Sequence, residues 1–206
     1  MVDELKARAL RGDGEAEALL RFLHLLRSKR YLEARRYAEG FPEGLRARLL
    51  EGLARLEEAP EALEDPLFLA EKEVVLGVGR ALRGDKEGAE GHFQKALALD
   101  PEHPRALVNL ANLHLERGEV AQAEALYLKA LRLAPDLPLV HENLAALYRK
   151  KGDRERMVQH LKKAQRLKMR PPVLDPLTGQ EKRPFRIPLW ALFLLLALLL
   201  YLLQKR

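Results

Sequence analysis

The side chains best suited to metal binding or acid–base work are the six histidines His24, His92, His103, His114, His141 and His160. A zinc site needs ligands one helical turn apart or clustered in a short loop, and none of the six forms HExxH or another close pair. They read as ordinary core or surface histidines. Cysteine is absent, which removes thiolate nucleophiles, disulfides, Cys-based zinc sites and Cys-ligated iron–sulfur clusters. Ser28 and Thr178 are the only aliphatic hydroxyls, and neither has a triad partner nearby in sequence. Gly77 and Gly79 follow no strand and lack the third glycine of a dinucleotide fingerprint. DKEGAEG (85–91) offers too few oxygen ligands for a calcium loop. No catalytic residue, metal ligand or cofactor is therefore expected, and an enzyme is the least expected class.

What remains is charge and apolar surface. The formal net charge is +6, but it is divided unevenly. Residues 1–148 carry 21 Lys+Arg and 26 Asp+Glu, whereas residues 149–206 carry 15 and 4. The basic run 149–170 holds ten Lys+Arg against two acids. It reads as a solvated helix face, as a surface for anionic headgroups, or as an RNA contact. The last lacks the interleaved aromatics of single-strand binders, so nucleic acid is not the favoured partner. Lys162, Lys163, Arg166, Lys168, Arg170, Lys182, Arg183 and Arg186 are the candidates for a membrane surface.

The elements that position these residues are helices. Among 206 residues there are 46 leucines, but one isoleucine, one serine and one threonine, and strand-forming types are scarce. Few Asn and no Cys beside abundant Arg and Glu match either a hot-growing source or a GC-rich genome.

An internal repeat organises the centre of the chain. Gly84, Gly118 and Gly152 are spaced by 34, as are Leu76, Leu110 and Leu144, and Ala96, Ala130 and Ala164. Phe93, Tyr127 and Leu161 hold one bulky position. Ala89 and Ala123 hold a small one, with Met157 in the third copy. Pro101 and Pro135 close two units. Each glycine suits the left-handed turn that ends a first helix, and Asp85 or Asp153 then caps a second.

On these residues the chain resembles the tetratricopeptide repeat (TPR) family. The matching segments are LGVGRALRGDKEGAEGHFQKALALDP, LANLHLERGEVAQAEALYLKALRLAP and LAALYRKKGDRERMVQHLKKAQRL. The third departs at Met157 and has Met169 where the closing proline belongs. The resemblance implies an all-α, right-handed superhelix of antiparallel helix pairs, with units at 70–103, 104–137 and 138–169. It also implies a concave groove, lined by the first helices, that binds a peptide or protein partner. The positions that match the groove are Val74, Val75, Val78, Arg105, Val108, Asn109, Asn112, Glu142, Asn143, Ala146 and Arg149. The chain's three asparagines all fall there, and an amide can both donate to and accept from an extended peptide backbone. The carboxylate clamp of some chaperone-binding members is not reproduced, because Val74, Val78, Leu139 and Asn143 stand at its positions.

Residues 1–69 have leucines at helical spacing but do not follow the 34-residue phase. They are expected to form non-canonical helical hairpins that extend or cap the solenoid. Residues 170–186 contain Pro171, Pro172, Pro176 and Pro184 and read as a basic linker reaching about 50 Å. DPLTG (175–179) resembles a sortase signal, but has Asp at the first position and reads as a turn.

Residues 187–203, IPLWALFLLLALLLYLL, carry no charge over 17 positions. A helix of that length spans about 25 Å, against about 30 Å of hydrocarbon. Flanking Arg186, Lys205 and Arg206 can snorkel, and Trp190 and Tyr201 suit the two interfaces. Ile187, Pro188 and Leu203 bound the segment, and residues 204–206 form a short basic tail. A single-pass C-terminal anchor is expected, with no secretory signal in MVDELKARAL. The basic residues before the segment favour a cytoplasmic body. The functional expectation is a membrane-tethered adaptor. The alternatives are a structural or assembly subunit of a membrane complex (envelope biogenesis, secretion or respiratory assembly) and an RNA-associated regulator.

Overall fold

The structure, a computed structural model, describes residues 2–169. Ten α-helices and no strand occur among them: α1 (Val2–Leu10), α2 (Gly14–Arg27), α3 (Tyr31–Ala38), α4 (Glu43–Glu58), α5 (Leu69–Leu82), α6 (Lys86–Leu99), α7 (Pro104–Glu116), α8 (Val120–Leu133), α9 (Pro138–Lys151) and α10 (Arg154–Met169). A short 3-10 turn, Pro60–Ala62, joins α4 to α5. Among these residues no helix is long and apolar enough to cross a membrane. The expected linker, anchor and tail (170–206), with Arg170, Lys182, Arg183, Arg186, Ile187, Pro188, Trp190, Tyr201 and Leu203, lie outside the described residues.

From α5 onward the helices pack as three antiparallel pairs, α5–α6, α7–α8 and α9–α10. The turn within each pair follows from one glycine. Gly84, Gly118 and Gly152 have φ of 83°, 84° and 77°, where an L side chain costs about 1–2 kcal/mol. The next residue's N–H then reaches back five residues: Asp85 to Arg80 O (3.1 Å), Glu119 to His114 O (2.9 Å), Asp153 to Tyr148 O (2.9 Å). These bonds satisfy carbonyls that the ended helix leaves open. Asp85 caps α6 by accepting from Gly88 N–H (2.9 Å). Pro104 and Pro138 occupy the first turns of α7 and α9, where the missing N–H costs nothing.

The same turn recurs outside the repeat. Gly12 has φ of 87°, Asp13 N–H donates to Arg8 O (3.2 Å), and the Asp13 carboxylate caps α2. Arg11-Gly12-Asp13 thus repeats Arg83-Gly84-Asp85 in sequence and in geometry. The α2–α3 turn also has this form, with Arg30 N–H on Leu25 O, but Lys29 holds the left-handed position at φ 58°.

The core is continuous along the chain but built of different clusters. Leu19, Phe22, Leu23 and Leu26 of α2 pack with Leu49, Leu53 and Leu56 of α4 and with Phe68. Phe22 and Phe68 meet edge to face, ring centres 5.8 Å apart. In the repeats, Phe93 of α6 is buried against Leu110 and Leu113 of the next pair, and Tyr127 of α8 against Leu144 and Leu147. The second helix of each unit thus plugs into the first helix of the following one. Leu161, at the matching position of α10, has no following unit among the described residues and is 47% exposed.

Two helical glycines permit this close packing. A Cβ on Gly77 would stand 2.6 Å from the Phe93 ring, and one on Gly52 2.3 Å from Phe68. Gly91 in α6 faces nothing within 4 Å. The two alanine substitutions should therefore act in opposite directions. Gly77→Ala is expected to destabilise by about 1–3 kcal/mol through overpacking, and Gly91→Ala to stabilise by up to about 1 kcal/mol through helix propensity. Chemical denaturation of the two variants checks the signs.

Candidate functional site

The first helices α5, α7 and α9 carry the residues expected to face a groove, and the structure divides them. Val74 and Val108 are fully buried. Val74 packs with Ala96 and Ala106, and Val108 sits in the cluster of Tyr127 and Leu144. Their place in the unit faces the neighbouring helices, so they are core and not ligand surface. Glu142 holds the same place in the third unit and pairs with Lys168 of α10. Arg105 is 6% exposed and bonded within the chain.

The remaining candidates are half-buried or exposed. Val75 leans on the N-terminal core and Val78 on the Phe93 cluster. Asn112 Oδ1 accepts from the Tyr127 hydroxyl (2.5 Å). Asn143 Nδ2 donates to Leu139 O one turn back (2.9 Å). Two of the three asparagines thus serve the fold. Asn109 is half-buried, and its amide has no hydrogen-bond partner among the described residues. Ala146 is half-buried and Arg149 exposed.

The most concentrated polar chemistry lies at the N-terminal ends of α5 and α7. Glu71 is 1% exposed. Oε1 accepts from the Tyr31 hydroxyl (2.5 Å) and from Arg105 Nη1, and Oε2 accepts from His103 Nε2 (2.9 Å). The His103 tautomer is fixed by its other nitrogen, since Nδ1 accepts from Ala106 N–H (3.3 Å) and caps α7. Burial alone would raise the Glu71 pKa, but the cation of Arg105 and the two further donors hold it below the ordinary range. The Tyr31 hydroxyl is pushed up by burial and by the Glu71 charge.

Around this group the N-terminal helices meet the loops between repeats. Arg27 lies 2.6 Å from Asp100, and Lys6 pairs with Glu102. His24 lies 3.7 Å from Asp136, at the entrance to the third unit. A pocket of about 280 Å³ opens beside Arg27, walled by Leu23, Leu26, Leu69 and Leu99. The segment 2–58 therefore lies along the sides of the repeats as well as ahead of them.

The histidines are all engaged. His92 Nδ1 faces Glu73 (2.8 Å), and His114 faces Glu119. His141 Nε2–H donates to Pro135 O (3.0 Å), which leaves Nδ1 to accept from His160 Nδ1–H (3.0 Å). His160 also stacks on Tyr148, centroids 5.5 Å apart. Among the described residues no three His, Cys, Asp or Glu side chains converge as a metal site would need.

Residues 75–168 match the family model of the middle TPR-like domain of cilia and flagella-associated protein 70. Over these residues the three helix pairs are similar to that TPR-like domain. Two crystal structures of MamA are similar to the chain. One is 20% identical with a TM-score of 0.44, covering 80% of this chain and 94% of that one. The other is 20% identical with a TM-score of 0.43, covering 81% and 89%. Among curated proteins none matches.

Two predictions follow from the buried polar groups of this chain. Glu71→Ala would leave Arg105, His103 and Tyr31 without their acceptor. A loss of about 3–5 kcal/mol is expected in urea unfolding, against about 1.5–3 kcal/mol for Tyr31→Phe. The His141–His160 pair gives a pH dependence. Burial depresses both pKa values below the ordinary 6.5, with Lys163 adding to the effect on His141. The unfolded chain then takes up protons first as pH falls. Stability contributed by the neutral pair is complete above pH 6.5 and declines from there towards the lower folded values. His160→Phe should flatten the unfolding midpoint between about pH 7 and 5.5.

Proposed function

We propose that this protein is a membrane-tethered adaptor, whose TPR-like domain holds a peptide or protein partner on the strip formed by Asn109, Ala146 and Arg149. The observation that carries the reading is the Asn109 amide. The other two asparagines expected at the groove, Asn112 and Asn143, are hydrogen-bonded within the fold, while Asn109 has no partner among the described residues. A half-buried amide with both donor and acceptor open suits the backbone of an extended or helical ligand. TPR-like folds bind partners through extended concave surfaces.

The uncharged run 187–203 supports the tether, and the basic residues before it favour a cytoplasmic domain. Tethering raises the effective concentration of the domain towards partners at the same membrane.

Crosslinking of the membrane-bound chain, followed by detergent extraction, reads out the partner. The double variant Asn109→Ala, Ala146→Arg is expected to lose that crosslink while keeping its helical content. Capture equal to that of the unaltered chain would remove the strip from the binding surface. Alkaline carbonate extraction addresses the tether: the chain is expected in the pellet, and release into the supernatant would contradict an integral span.

A further inference from the structure

The three helix pairs share one place where a first helix meets its second, formed by two positions 19 residues apart. In the first unit it holds Glu73 and His92, joined at 2.8 Å. In the second it holds Leu107 and Leu126, which belong to one apolar cluster. In the third it holds His141 and His160, whose Nδ1 atoms stand 3.0 Å apart. Leucines fill this place in a matching pair, so packing alone does not call for two imidazoles. Both rings turn Nδ1 toward each other. His141 Nε2–H donates to Pro135 O (3.0 Å), which fixes the tautomer that leaves Nδ1 unprotonated. A backbone carbonyl on the far nitrogen is the usual support of a metal-bound imidazole. Burial also favours the neutral form of both rings, the form that ligates a metal.

We propose that His141 and His160 chelate an exchangeable transition-metal ion through their Nδ1 atoms, with copper(II) or nickel(II) as the ions that fit. A resident metal centre takes three or more protein ligands, whereas two leave positions open to water or to another side chain. The spacing selects the class. At about 2.0 Å per metal–nitrogen bond, atoms 3.0 Å apart subtend about 97° at the ion. That is near the angle of about 90° in a tetragonal copper(II) or nickel(II) site and short of the angle of about 109° in tetrahedral zinc. Copper(II) is the tighter of the two for a given set of nitrogens. On binding, the ion replaces the hydrogen bond between the rings. The His160 proton moves from Nδ1 to Nε2, so the neutral pair releases none. The ion joins α9 to α10 and fastens the last helix pair. Lys163, exposed on α10, sets a positive charge near His141 and opposes the ion. The site needs neither the membrane tether nor the strip around Asn109.

The full chain in detergent is titrated with copper(II) chloride and read by electron paramagnetic resonance. The expected result is a tetragonal signal split by two imidazole nitrogens, which fades as acid protonates the rings. The double variant His141→Leu, His160→Leu copies the Leu107–Leu126 pair of the second unit. It should keep its helical content, lose that signal and bind copper about tenfold more weakly or worse. His160→Phe, which leaves a ring to stack on Tyr148, should lose the two-nitrogen pattern as well. Lys163→Gln should tighten binding. Copper should raise the unfolding midpoint of the unaltered chain and not that of the double variant. Equal affinity and an equal signal in the double variant mark an adventitious surface ion and overturn the chelate. A two-nitrogen signal that survives in His160→Phe overturns it too.

Discussion

The structure depends on one buried carboxylate. Glu71 sits where the first repeat begins, and three segments converge on it. Tyr31 comes from the N-terminal helices, His103 from the loop between the first two units, and Arg105 from α7. A buried ion pair of this kind contributes little net stability against an apolar replacement, because desolvating both charges costs nearly what their attraction returns. Its three donors tie α3, the loop before α7 and α7 itself to the start of α5. His103 has a second duty, since the same ring caps α7 through Nδ1. Moving the carboxylate would therefore disturb the start of a repeat helix as well as the N-terminal packing.

The rest of the repeat region is governed by a simpler constraint, the repeated plugging of a second helix into the next first helix. Small residues make it possible. Gly77 lets the Phe93 ring pass, and Ala111 and Ala145 are buried at the matching places. Aromatic side chains then fill the volume. The series stops at α10, where the described chain offers no partner for Leu161, and the composition of α10 changes with it. Its exposed side is rich in lysine and arginine, while α6 and α8 carry mixed charge.

Much of this was legible in the residues. The glycine, leucine and alanine spacings locate three helix pairs, because the 34-residue period reflects geometry that each unit must repeat. The positions of individual side chains were less accessible. Val74 and Val108 were expected on a ligand surface, yet their turn of the helix faces neighbouring helices and they are core. The link between Tyr31 and Glu71 joins residues 40 apart with no shared motif, so no local pattern announces it. The Arg11-Gly12-Asp13 turn was visible as a copy of Arg83-Gly84-Asp85, but the two lie 72 residues apart, which is not a multiple of 34. A search tied to one period passes over it. Of the asparagines, composition could not tell which would turn inward to Tyr127 or to their own helix.

The N-terminal helices run alongside the repeats, and this has a mechanical consequence. A row of stacked helix pairs ordinarily behaves as a spring, each joint free to flex a little. Here Lys6, Arg27 and Tyr31 cross-brace the joint between the first and second pairs, as a splint does. Only His24, at 3.7 Å from Asp136, reaches the next joint. The N-terminal helices thus bridge the loop between the first and second pairs at several points and the loop before the third pair at one.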